Sequence, residues 1–449
     1  MRSKRILFAI ATQHFKIAGG IGQFYRGFSD FAERLDCYID LCFDKAPSKS
    51  VVDGLDANII YPSQPLDYSL HRAYFAFQDG INYEMVTNFR NAMSKAFKEN
   101  LYTHVIANTP EAAIALKMLG LTNVKALTYT HQESFTQDES AFKSNPTFSP
   151  AYLYEIRNLK GIELGCQTEN IESYAKRFHD QTRVLPFFFP ESEAPSDIPD
   201  DQSGVLFIGR WEERKNPKMF VDLIKQTGLP AKVLTNKRGS EKFKKALDDI
   251  GAEYEIKFDT TGEEKSRFIT SAKMAFCPNR AETGPFAVYE AMTRTRTMIP
   301  LAARWADNFH GMALYTFGSH DSYKDSDLSE RVISIYNETD PYDPPVTYQD
   351  LNNTAFSAWQ SYLNEELGVK KSIHDYRNAI AKVVMGSPDE TFRPGDLIPE
   401  HLLNQTSINQ ITEFFKCTDV NVKFTKTQTL ISVSDPKEPV DTVTSLFEF

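Results

Sequence analysis

The chain has 449 residues, of which 41% are hydrophobic, 12% aromatic and 24% charged, with a formal net charge of −10. This length exceeds one compact core and suggests two or three domains, and the composition excludes a disordered, collagen-like or low-complexity chain. The acidic balance argues against a protein that coats nucleic acid by bulk attraction, although it leaves room for a local basic cleft, and no run of about 18 apolar residues marks a membrane-spanning helix.

The opening residues place Arg2, Lys4 and Arg5 before a short apolar stretch that ends at Gln13 and His14 without a small-residue cleavage site. It reads as a first buried strand and not as a signal peptide. Strands are expected at 5–12, 38–43, 57–61, 104–108, 124–131, 161–168 and 183–187, with helices at 22–35, 83–101, 110–119 and 170–178. Short apolar strands followed by helices are what a parallel sheet covered on both faces requires. Residues 190–203, rich in Pro, Asp and Glu, read as a linker. A second alternation follows, with strands at 204–210, 231–235, 252–258, 274–278 and 298–302 and helices at 217–227, 240–250, 263–271 and 286–293. The organisation expected is an N-terminal domain over 1–190, a second over 204–340, and a third segment, 341–449, partly packing back on the first. In that last segment 348–367 and 372–384 look helical, and 421–434 alternates like a hairpin or edge strand. The five cysteines (Cys37, Cys42, Cys166, Cys277, Cys417) are scattered, without zinc-ligand spacing, and read as reduced core thiols of a cytoplasmic protein.

Three strand-to-helix loops carry the candidate chemistry. Lys16-Ile17-Ala18-Gly19-Gly20-Ile21-Gly22 follows the first strand, and its glycines would let backbone N–H groups approach an anion at a helix N-terminus; a simple tight turn explains the same residues. Gly209-Arg210-Trp211-Glu212-Glu213-Arg214-Lys215 leaves the first strand of the second domain. There Arg210 as a fork and Lys215 as a point charge could hold a diphosphate, or Lys215 could pair with Glu212 or Glu213 in a solvated loop. The third loop runs from Asn279 through Glu282, Gly284, Pro285 and Phe286 to Glu290. Eight helical residues rise on the order of 12 Å, roughly the span from a sugar through a diphosphate to a ribose.

In this order, the three loops resemble the GT-B glycosyltransferases, especially the retaining, family 4-like enzymes, over roughly residues 5–320. The resemblance implies an α/β GT-B fold: two Rossmann-like doubly wound domains facing a cleft, with C-terminal helices and a small β extension. It implies a nucleotide-sugar donor, a UDP-sugar, whose diphosphate meets Arg210 and Lys215. Glu282 would meet the donor sugar and Glu290 the ribose, with Gly19, Gly20, Gly209, Gly284 and Phe286 lining the phosphates. His131, after the strand Ala126-Leu127-Thr128-Tyr129-Thr130, matches a histidine that such enzymes place beside the reacting sugar. The chain departs from the family pattern at Thr295, usually Gly, and at Thr283-Gly284-Pro285, where Gly-Phe-Gly is common.

A fainter resemblance, carried by Tyr129-Thr130-His131-Gln132 and the Arg210-Trp211…Lys215 loop, is to the T-even phage enzymes that glycosylate hydroxymethylcytosine in DNA. It implies a double-stranded DNA acceptor in a host cytoplasm. Residues 204–304 carry 19 Lys and Arg against 13 Asp and Glu. Arg294, Arg296, Arg304, Lys237 and Arg238 are candidates for a phosphate-facing surface, and Phe135, Phe148 and Trp305 for supporting an extruded base. The rival acceptor is a surface polysaccharide or lipid-linked glycan. Outside that chemistry stand a nucleotide-sugar epimerase or hydrolase and a non-catalytic α/β binding protein. The expected mechanism needs no cofactor or metal: preorganised cations and helix N–H groups stabilise the departing diphosphate.

Overall fold

The computed structural model describes residues 4–13, 15, 20–52, 55–68, 82–120, 124–129, 159, 161–176, 179–194, 199, 201–280, 282, 286–300, 304–309, 312, 315–317, 327–365, 391–392, 422–424 and 429–432. By contacts the chain divides into two units, Met1–Gly120 with Val124–Asn364, and Leu121–Asn123 with Glu365–Phe449.

The first unit begins with β1 (Lys4–Ile10), α1 (Gly20–Phe31), β2 (Cys37–Phe43), α2 (Lys49–Val52) and β3 (Ile59–Ile60). It continues with α3 (Tyr83–Glu99), β4 (His104–Ala107), α4 (Pro110–Met118), β5 (Lys125–Tyr129), β6 (Glu163–Cys166), α5 (Glu169–Ala175) and β7 (Thr182–Val184). These strands form a parallel sheet in the order β3-β2-β1-β4-β5-β6-β7. The central strand β1 is a nearly unbroken apolar run because helices cover both of its faces. Ile6, Phe8 and Ile10 pack under α1, and Leu7 and Ala9 under α3 and α4. Asn82 caps α3 by accepting from Met85 N–H at 3.0 Å, and Thr109 caps α4 ahead of Pro110.

The second half of this unit holds β8 (Val205–Ile208), α6 (Pro217–Thr227), β9 (Ala231–Thr235), α7 (Lys237–Asp248), β10 (Tyr254–Phe258) and α8 (Gly262–Thr270). After these come β11 (Met274–Phe276), α9 (Phe286–Met292), β12 (Arg296–Pro300), β13 (Tyr315–Phe317), α10 (Leu328–Tyr336) and α11 (Tyr348–Asn364). The strands are parallel in the order β10-β9-β8-β11-β12-β13. Two doubly wound Rossmann-like sheets are therefore present, as the alternation of elements predicts. Most of their elements lie within a few residues of the expected bounds; α2, β13 and α10 are not among the expected elements.

The chain passes from the first sheet to the second through Leu185–Glu193 and returns in α11. The two passages are bound together: Asn352 exchanges hydrogen bonds with the Phe189 backbone at 2.8 and 3.1 Å, Tyr348 donates to Pro190 O at 2.6 Å and Trp359 donates to Pro186 O at 2.9 Å. Trp359 is fully buried against Phe24, Phe28 and Tyr362, so α11 belongs to the core of the first sheet.

In the second unit β14 (Thr391–Phe392), β15 (Val422–Phe424) and β16 (Thr429–Ser432) form an antiparallel sheet in the order β14-β16-β15. Pairing of β15 with β16 fulfils the hairpin expected over 421–434. The helix expected at 372–384 lies outside the described residues. Among the described residues no helix is long and apolar enough to cross a membrane, and Cys37, Cys42, Cys166 and Cys277 are free and buried.

Candidate functional site

In an open parallel sheet, ligands bind outside the carboxyl ends of the strands where the strand order reverses. In the second sheet that point lies between β8 and β11. The loop leaving β8 carries Gly209, Arg210 and Lys215; the segment leaving β11 carries Cys277, Asn279 and Glu282. Arg280 N–H donates to Arg214 O at 2.7 Å and locks the two segments together. The chain turns at Asn216, whose left-handed φ of 52° suits an asparagine, and Pro217 then begins α6. This corner sends Lys215 inward. Its stem passes so close to Gly209 that a Cβ there would sit 3.3 Å from Lys215 Cγ, so glycine gives the lysine its path.

Lys215 Nζ donates to Glu282 Oε1, and Asn279 Nδ2 donates to the same oxygen at 2.6 Å. Asn279 is held in turn by Trp305, whose indole N–H donates to Asn279 O at 2.9 Å. Lys215 and Glu282 side chains are only 11% and 6% exposed. Burial pulls the Lys215 ammonium below the ordinary lysine range, and Glu282 works against that shift. The same burial pushes the neighbouring Cys277 thiol up to about 12, so it stays protonated. Sequence reading left Lys215 a choice of partners on its own loop; the structure instead pairs it with Glu282, 67 positions away. Glu212 takes Arg210 at 3.0 Å and Arg214 at 2.8 Å. Arg210, 47% exposed, stands at the rim of the pair.

Glu290 lies elsewhere in the network. It is buried, and Lys265 on α8 binds its Oε1 at 2.5 Å while also binding Glu193 at 2.8 Å. Burial pushes the Glu290 carboxyl up, against the pull of Lys265. Glu193, on the passage between the sheets, accepts from Gly262 N–H at 3.1 Å and from Arg26 of α1 at 3.3 Å. The carboxylate expected to meet a ribose is thus part of an interior junction of α1, α8, α9 and the passage, a role that no local spacing announces.

Two of the acceptor candidates are corrected. Arg294 is 3% exposed, donating to Glu290 O at 2.6 Å and to Glu193 O. Arg296, 6% exposed, donates to Glu338 at 2.8 Å and to Asp340 O. Both guanidiniums saturate backbone and carboxylate acceptors inside the protein, so neither is presented to a phosphate backbone. Trp305, fully buried, likewise offers no ring face to a base. Lys237 and Arg238 remain exposed on α7. Gly20 opens α1 with open space around it, and Phe286 opens α9, half-buried against Phe187 and Phe189. Gly19, His131, Phe135, Phe148 and Gly284 lie outside the described residues, as does the side chain of Arg304.

The reversal point of the first sheet, between β1 and β4, contains a residue the sequence reading passed over. Asn108 directly follows β4, its N–H donating to Ala9 O at 2.8 Å, and its side chain is 3% exposed with neither carboxamide atom hydrogen-bonded. A buried amide without partners is costly and calls for an explanation. A lone Asn after a strand gives no such signal in sequence. Among the described residues, no three His, Cys, Asp or Glu side chains converge as metal ligands would.

No family model matches the chain, and no curated protein sequence matches it. Solved structures do. Sucrose-phosphate synthase from Thermosynechococcus elongatus superposes with a TM-score of 0.55 at 13% identity, covering 84% of this chain and 100% of that one. Anabaena HepE in complex with UDP and glucose gives 0.55 at 13% identity, covering 81% and 98%. The catalytic domain of starch synthase IV from Arabidopsis thaliana, bound to ADP and acarbose, gives 0.53 at 11% identity, covering 81% and 98%. Identity at this level speaks for the fold alone, which is the GT-B fold of these glycosyltransferases.

Proposed function

We propose that this chain is a glycosyltransferase that moves a sugar from a nucleotide-sugar donor, a UDP-sugar, to an acceptor hydroxyl with retention at the anomeric carbon. The observation that carries the reading is the buried Lys215–Glu282 pair, held by Asn279 at the strand-order reversal of the second sheet. A lysine driven below its usual pKa by burial, with a carboxylate beside it, is poised for an incoming anion of greater charge. Neighbours of the same fold have been crystallised with UDP, with UDP-glucose and with ADP, which supports a nucleotide-sugar ligand here.

In the reaction the anomeric C–O bond to the diphosphate breaks and the diphosphate oxygen takes the electron pair. The acceptor oxygen forms the new bond from the same face, and its proton passes to the leaving phosphate oxygen. Lys215 and, from the rim, Arg210 stabilise the growing negative charge in a water-poor site where such charges act strongly. Glu282 orients the sugar hydroxyls. The DNA acceptor loses Arg294 and Arg296 as contacts and keeps the exposed Lys237, Arg238, Lys242 and Lys244 of α7 in its support.

The test is calorimetry with UDP, GDP and ADP sugars, followed by nucleotide release. Binding of a UDP-sugar by the intact protein, abolished in Lys215→Ala, is expected. Absence of binding for every donor at millimolar concentration overturns the reading.

A further inference from the structure

A cavity of about 730 Å³ lies where the chain passes between the two sheets. Its apolar wall comes from Phe187 and Phe189 on the outgoing passage and from Phe286 and Tyr289 on α9. The opposite wall is polar: Gln167, Thr168 and Asn170 at the carboxyl end of β6, and Asn308 in the 304–309 turn. Phe286, in the cavity wall, begins α9 four positions after Glu282.

The charges lining this cavity discriminate between ligands. Among the described lining residues there is no lysine or arginine, whereas Glu169 and Asp307 are present, both exposed and neither engaged by a protein cation among the described residues. Two carboxylates on one wall repel a phosphate. Asn308 donates to Trp305 O at 2.7 Å through Nδ2, and its carboxamide oxygen has no partner among the described residues. Ring faces on one side with amides and carboxylates on the other suit a ligand with apolar C–H faces and a rim of hydroxyls.

We propose that this cavity binds the acceptor, and that the acceptor is an uncharged saccharide. The proposal rests on the donor reading above and adds to it the class of the second substrate. The sugar ring lies against Phe187 and Phe286, its hydroxyls bond to Asn170, Asn308 and Glu169, and the hydroxyl that attacks points along α9 toward Glu282. A nucleic acid or a phosphate-linked lipid is the wrong occupant, because each brings its phosphates to Glu169 and Asp307.

The experiment is transfer of label from UDP-sugars to three acceptor pools: neutral mono- to trisaccharides, duplex DNA carrying hydroxymethylcytosine, and polyprenyl-phosphate-linked glycan. Label in the saccharide pool is expected. For the saccharide that is labelled, Phe187→Leu, Asn308→Ala and Glu169→Gln should each raise the acceptor KM about tenfold, with the donor KM and kcat within twofold of the parent. Glu169 is exposed, so its variant does not depend on core packing. Label confined to DNA or to the lipid-linked pool overturns the proposal. So does nucleotide release with no pool labelled, and so does an acceptor KM unmoved in all three variants. Failure of the donor reading shows differently, as absent nucleotide release together with absent UDP-sugar binding, and takes the proposal with it.

Discussion

At the reversal point of the second sheet, between β8 and β11, the chain places an ammonium, a carboxylate and an amide in contact: Lys215, Glu282 and Asn279. At the equivalent point of the first sheet, between β1 and β4, it places Asn108, whose buried carboxamide has no hydrogen-bond partner among the described residues. The first arrangement is charged and internally paired. The second is uncharged and unsatisfied. On the function proposed above, two sheets of one topology divide the work, one meeting the donor's anion and the other a neutral group that gives and takes hydrogen bonds.

The sharpest way to break that division is at Lys215. Lys215→Ala should lower kcat/KM by at least about 100-fold, a loss on the order of 3 kcal/mol of transition-state stabilisation. Because the single change strands Glu282 in the interior, the charge-balanced Lys215→Met/Glu282→Gln variant should be measured beside it. Both should be inactive, and the double variant should keep the parental thermal midpoint. Arg210→Ala should cost less, about tenfold, since Arg210 is half exposed and already shared with Glu212. Steady-state transfer assays check all three, and a Lys215 variant with near-normal turnover removes the charged half of the comparison.

Asn108 offers the converse test. Asn108→Leu fills the same space without a buried, unpaired amide, so it should raise stability by about 1–3 kcal/mol while lowering transfer about tenfold. A gain in thermal midpoint with a loss of activity marks a group kept for a ligand. A loss of stability instead would make Asn108 structural and would leave the first sheet without a substrate-facing residue.

The sequence made the charged site far more legible than the uncharged one. The Arg210 to Lys215 loop and the 279–290 segment stand out because each follows an apolar strand and precedes a helix, which fixes where both must emerge. What spacing could not supply were the long-range partners: Lys215 with Glu282 and Lys265 with Glu290, 67 and 25 positions apart. Charge counting failed at Arg294 and Arg296 because it cannot distinguish a guanidinium that is solvated from one that is saturated by interior carbonyls. Asn108 was invisible because its meaning lies in the partners it lacks. At three residues β13 is too short to display alternation, and the burial of Leu328, Val332 and Ile335 that defines α10 is a tertiary fact.

The electrostatic half of the comparison sharpens with pH. Burial lowers the Lys215 pKa from its ordinary value of 10.5, so the ammonium is lost at a lower pH than for a solvated lysine. The alkaline limb of kcat/KM should therefore fall off below that value. In Lys215→Arg, which cannot lose its charge in this range, the limb should move upward even though the rate is lower. An unchanged limb would assign the titration to another group.

The smallest effect concerns the amino end of β4, the strand that Asn108 follows. His104 Nδ1 lies 2.9 Å from Thr103 Oγ1, its Nε2 has no partner, and its ring packs on Tyr362. Burial first, then the Lys125 and Lys4 charges, bring its pKa down from 6.5 to about 4. Between these values the unfolded chain binds a proton that the folded chain refuses, so stability rises with pH across the window and is lost as pH falls through it. Well above pH 6.5 both states are neutral at this site and it contributes no pH dependence. Below pH 4 the loss is complete, on the order of 3 kcal/mol. His104→Phe keeps a ring against Tyr362 and removes the titration, so urea midpoints at pH 7 and pH 4.5 should lie closer together than in the parent. An equal separation would mean that His104 is solvated, and the neutral character of the first sheet would then begin above its amino end.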